Sequence, residues 1–144
     1  MTSPLENLAG PTGPLVAEPP DPAEFAGLCA RAESCLADAK RTNIALESQF
    51  VLAYNGAHGY CLAAMRHKGY RPRHRYIVFQ ALPHTLDLGP EVWKILSKAH
   101  DQRNVAEYQG YLELSEQFVH DLVATCEKVA VKVKALPRLE EKKK

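Results

Sequence analysis

Apolar residues recur at helical spacing along most of the chain. Phe25, Leu28, Ala32, Cys35 or Leu36, and Ala39 share a face, following the three-and-four step of an amphipathic helix. Asp21 and Pro22 mark its start, because an aspartate accepts from free amides and a proline at the first helical position has no N–H to leave unsatisfied. A first helix is expected over about 22–40. A second is expected over about 44–68, with Thr42 or Asn43 as cap and Gly69 as stop. Its apolar residues cover two faces, Leu46, Phe50, Ala53, Ala57 and Ala64 on one and Val51, Tyr54, Cys61 and Met65 on the other. A helix apolar nearly all round belongs at the centre of a bundle. Gly56 and Gly59 inside it each cost about 1 kcal/mol relative to Ala. Either another backbone approaches closely there or the packing tolerates them.

The β-branched and aromatic run Tyr76-Ile77-Val78-Phe79 has strand propensity, but a lone strand among helices would have no partner. A short third helix over about 74–82, ended near Pro83, is the expectation. Gly89-Pro90 opens a fourth, with Val92, Ile95, Leu96, Ala99, Arg103 and Ala106 on one face and Gly110 at its end. Ser115 caps a fifth, whose seam runs Val119, Leu122, Cys126, Val129, Val133, Leu136. Such steps pack inside a bundle or against a second subunit. The predicted fold class is all-α, a four- or five-helix bundle over residues 21–137.

Residues 1–20 hold five of the ten prolines and little periodicity, so they read as a disordered tail. Residues 138–144 read as a charged, fraying end. The stretch 48–65 is uncharged and has about the length of a membrane span, but Asn55, His58 and two tyrosines within it argue for a protein interior. The N-terminus shows no basic segment followed by an apolar run, and a cytoplasmic location with no membrane contact is expected. Eighteen Lys+Arg against seventeen Asp+Glu give a net charge of +1, so polyanion binding must come from a local patch. Cys29, Cys35, Cys61 and Cys126 show no metal-ligand spacing and read as reduced structural thiols. No metal and no cofactor is expected.

Two features carry candidate chemistry. Arg103 shares the apolar face of Leu96, Ala99 and Ala106, where a guanidinium needs a carboxylate, a cleft or a ligand anion. Glu107, one turn on, is the ordinary partner for it. The second feature is the acid-free run 66–75, with Arg66, Lys68, Arg71, Arg73 and Arg75 beside His67, Tyr70 and His74. It is either a phosphate-contacting loop or a solvated one that complements a helix C-terminus. His58 reads as a hydrogen-bonded core residue, and His84 and His120 have no partner at metal spacing.

The run Ala99-His100-Asp101-Gln102-Arg103-Asn104-Val105-Ala106-Glu107-Tyr108, near the end of the fourth helix, resembles the signature of the HEPN superfamily, the higher-eukaryote and prokaryote nucleotide-binding domains. The resemblance extends in helix order over about 22–136. It implies a helical bundle that often dimerises, the motif helices of two protomers facing across a cleft. Catalytic HEPN proteins are metal-independent ribonucleases with an Arg followed four to six residues later by a His. Arg103 and Asn104 match the first part of that motif, but Tyr108 stands where the His would be. A tyrosine with a pKa near 10 is about one part in a thousand ionised at pH 7 and is a poor base for a 2′-hydroxyl. Tyr108 can still donate to a phosphate or stack on a base, and His100 precedes Arg103 by one turn.

Some HEPN domains lacking the His are companions of minimal nucleotidyltransferases, and in paired toxin systems a tyrosine near the motif accepts a nucleotide. Tyr108 and Tyr111 are the corresponding candidates here. The resemblance thus implies a non-catalytic RNA- or nucleotide-binding module, a homodimer or a companion of a nucleotidyltransferase in a toxin–antitoxin-type system. Arg103, Asn104 and Tyr108 would hold the nucleotide, aided by Arg66, Lys68, Arg71, Arg73 and Arg75. The alternatives are a toxin-type metal-independent endoribonuclease using Arg103 with His100 or Tyr108, and a structural adaptor.

Overall fold

The computed structural model describes residues 4–110 and 113–139. Its elements run α1 (Pro4–Leu8), β1 (Leu15–Ala17), α2 (Pro22–Ala39), α3 (Leu46–His67), β2 (Tyr70–Pro72), α4 (Ile77–Gln80), α5 (Leu82–Thr85), α6 (Pro90–Gln109) and α7 (Glu116–Lys134). The class is a helical bundle with one small two-stranded sheet. Among the described residues no helix is long and apolar enough to cross a membrane.

The long helices begin and end for local reasons. The Asp21 carboxylate accepts from the Ala23 amide at 3.0 Å, and Ser115 Oγ accepts from the Phe118 amide at 3.0 Å. Gly69 and Gly110 take φ values of +92° and +77°, a left-handed backbone that glycine adopts without a Cβ clash. α3 departs from expectation at its start. Neither Thr42 nor Asn43 caps it, because the helix begins later, after an extended Ala45 with no side-chain cap. The connection is held instead by Gln49, whose amide nitrogen donates to the Ala39 and Arg41 carbonyls at 3.2 and 2.9 Å.

α3 is the central helix. Phe50, Ala53, Tyr54, Ala57, Cys61, Ala64 and Met65 are all 1 % exposed or less, and it packs against α2, α6 and α7. Its glycines mark a close approach. A Cβ on Gly56 would lie 3.3 Å from both the Ala32 carbonyl oxygen and Cys126 Sγ, and one on Gly59 would lie 3.1 Å from Ala32 Cβ. The α7 seam is internal: Val119, Leu122, Cys126, Val129 and Val133 are buried in this chain's own core.

Two segments differ from the sequence expectation. The Pro-rich segment is no detached tail from residue 4 on: Leu5 and Leu15 are buried, and β1 pairs antiparallel with β2, Leu15 opposite Pro72 and Ala17 opposite Tyr70. Its composition is too poor in apolar residues for a core of its own, but two leucines and a paired glutamate suffice when the partner surface lies elsewhere in the chain. The 74–82 helix is two short turns, α4 and α5, and Pro83 sits near the start of the second instead of ending the first. The charged end expected over 138–144 lies outside the described residues from 140 on, whereas Pro137 is tied back by His67 Nε2, which donates to its carbonyl at 2.7 Å.

Candidate functional site

The basic run 66–75 divides into two populations. Arg66 is 2 % exposed. Its Nε donates to Glu24 at 2.5 Å, Nη1 to the Glu18 carbonyl at 2.9 Å and Nη2 to the Pro19 carbonyl at 2.8 Å. Arg71 bridges Glu18 and Glu24 at 2.5 and 2.7 Å. Hydrogen bonds from Arg71 hold both carboxyls below the ordinary range, against the opposing effect of desolvation. Arg73 reaches back to the Gly10 carbonyl at 3.0 Å. Arg66, Arg71 and Arg73 therefore tie down the N-terminal segment, and the charges of Arg66 and Arg71 are met by Glu18 and Glu24. Lys68 is exposed at the end of α3, separate from the group described next.

Arg75 belongs with Arg103. Their guanidinium carbons lie 6.0 and 5.6 Å from the centroid of the Tyr54 ring, within cation–π range. α3 supplies Tyr54, Asn55 and His58, α6 supplies His100, Arg103 and Asn104, and the segment before α4 supplies Arg75 and Tyr76. Arg103 pairs with Glu107 at 2.8 Å and keeps 30 % of its side chain exposed. Among the described residues Arg75 makes no ion pair. Among the described residues Glu107 is the carboxylate ion-paired to this group, so the charge of Arg75 is not compensated by an ion pair.

His100 is fixed at both ring nitrogens. The Asn104 amide donates to Nε2 at 3.2 Å, so the ring proton sits on Nδ1 and is donated to the Tyr54 hydroxyl oxygen at 3.2 Å. The ring also stacks on Tyr76 at 4.8 Å, whose hydroxyl lies 2.8 Å from Ser97 Oγ. Burial first, then Arg103 and Arg75, lower its pKa, with Asp101 opposing. His58 lies edge-on to Phe79 at 5.8 Å, and burial with the two arginines lowers its pKa to about 4. Its Nε2 has no hydrogen-bond partner among the described residues. Both shifts favour the neutral imidazole.

Two cavities flank this group and share Arg103 and Asn55. One, of about 340 Å³, is lined by Phe50, Val51, Tyr54 and Ala106 together with two carboxylates, Glu47 and Glu107. The other, of about 480 Å³, is lined by Arg31, Arg75, Arg103 and His58.

Tyr108 is not in the site. It follows Arg103 by five residues, about 140° round the helix, and is 89 % exposed. Tyr111 lies outside the described residues. Sequence reasoning missed Tyr54 as a site residue, because a tyrosine on the apolar face of a buried helix has no mark distinguishing it from core, and it missed Arg31, an isolated cation on the exposed side of α2. Among the described residues no group of three or more His, Cys, Asp or Glu lies within reach of a common metal ion. Comparison with family models, with curated proteins and with solved structures finds no match to this chain.

Proposed function

We propose that this protein is a HEPN-like module that binds RNA or a nucleotide through phosphate contacts at Arg75 and Arg103, without a chemical step of its own. One observation carries the reading: two guanidiniums from separate elements meet at the Tyr54 ring, beside a cavity in which Phe50, Val51 and Tyr54 offer surface for a base and Asn55, Glu47 and Glu107 offer polar groups. The engagement of His100 at both nitrogens supports binding over catalysis, since a general base needs a free lone pair at the reacting hydroxyl. Val105 and Tyr108, 38 % and 89 % exposed and one turn apart on α6, are where this reading seats a protein partner, a second copy or a minimal nucleotidyltransferase of toxin–antitoxin type.

The test is fluorescence anisotropy of a short single-stranded RNA across a salt series. Two phosphate contacts give a slope of log K against log[salt] of about −1.4, whereas the whole 66–75 run with Arg103 would give about −4. R75A and R103A should each weaken binding about tenfold. Undetectable binding at low ionic strength, or binding indifferent to both substitutions, defeats the proposal.

A further inference from the structure

The cavity of about 480 Å³ between α2 and α3 has a composition unlike its neighbour. Arg31, Arg75 and Arg103 line it with Asn55 and His58, and no carboxylate does. Glu107, the partner of Arg103, lines the other cavity. Among the described residues neither Arg31 nor Arg75 makes an ion pair. Ala32 and Gly59, where α2 and α3 approach closely, also line it, and a ligand that fills the cavity can continue across Asn55 and Arg103, which line both cavities.

We infer that this cavity receives a terminal phosphomonoester, the charged end of an RNA or of a free nucleotide, and that Arg31 is the residue that selects it. The inference rests on the reading of Arg75 and Arg103 as a phosphate site and goes further by naming which phosphate. An internal phosphodiester carries one negative charge, two unesterified oxygens and a chain leaving on both sides. A phosphomonoester at pH 7 carries between one and a half and two charges, roughly, on three strong acceptor oxygens, and its chain leaves on one side only. Three guanidiniums and no carboxylate lining one cavity match the second description. The cavity beyond Arg103 then takes the attached nucleoside, with the Tyr54 ring in its wall.

The experiment compares one internally labelled RNA decamer in three forms, with a 5′-phosphate, with a 3′-phosphate, and with hydroxyls at both ends, by anisotropy at low ionic strength. A phosphorylated form should bind about tenfold tighter than the hydroxyl form, and R31A should bring that ratio towards one. Equal affinity for all three forms overturns the inference while leaving phosphate binding intact. Binding of none of them overturns the proposed function as well. A ratio unchanged in R31A overturns the assignment of Arg31. Adenosine 5′-monophosphate as competitor separates the two sources: displacement by it but not by adenosine assigns the site to a free nucleotide, and preference for phosphorylated RNA with an inert mononucleotide assigns it to an RNA end.

Discussion

Arg66 and Arg103 present the same fork of donors, and only their surroundings separate a clamp from a site. Arg66 is spent entirely inside the fold, on Glu24 and the carbonyls of Glu18, Pro19 and Tyr70. Removing one member of a buried charged network leaves the others unpaired. R66A should cost about 3 kcal/mol of stability in urea titration, whereas K68A, at an exposed position, should stay within about 0.5 kcal/mol. Equal effects would mean that Arg66 carries no such network. The five cations were visible in the sequence, but their division was not, since the acids that bind Arg66 and Arg71 lie 42 to 53 residues earlier. Arg103 shows the reverse. Its position on an apolar face and its pairing with Glu107 both follow from helical spacing, while its approach to Tyr54 depends on how α3 and α6 pack.

At the level of elements, periodicity and caps located the long helices because each signal acts within a turn or two of itself. Asp21, Ser115, Gly69 and Gly110 do locally what their chemistry dictates. The failures are of another kind. β1 and β2 are three-residue segments whose pairing joins residues 15–17 to residues 70–72, too short for a pattern and too far apart for a local rule. The glycines of α3 sit between these cases, visible as a cost but silent on its cause. Their role is testable: G56A and G59A would each gain about 1 kcal/mol of helix propensity, yet the new methyl meets the Ala32 carbonyl and Cys126 Sγ in one case and Ala32 Cβ in the other. Overpacking of this sort costs about 1–3 kcal/mol. Each substitution should therefore lower Tm by about 3 °C, and a rise in Tm would show that the helices have room to part.

For the molecule as a whole, a net charge of +1 conceals an uneven distribution, with an acid-balanced clamp at the N-terminal segment and an arginine excess around Tyr54. The two regions make stability depend on pH in different windows. His58 has a folded pKa of about 4 against an ordinary 6.5, from burial and then from Arg75 and Arg103. Between those values the unfolded chain binds a proton that the folded chain excludes, so this contribution is full above 6.5 and is lost as pH falls towards 4. The loss is on the order of 3 kcal/mol. His100, also lowered, acts in the same direction. Glu18 and Glu24 are held below the carboxylate value of 4.5 by Arg71, so the stability they add is present above that value and disappears as pH falls through the lower window. Urea midpoints should thus decline from pH 6.5 to 4 and decline further below 4.5. H58Q should flatten the first decline and leave the second, since it removes the excluded proton without touching the clamp. An unchanged slope between pH 6.5 and 4 in H58Q would mean that His58 is not the group held neutral.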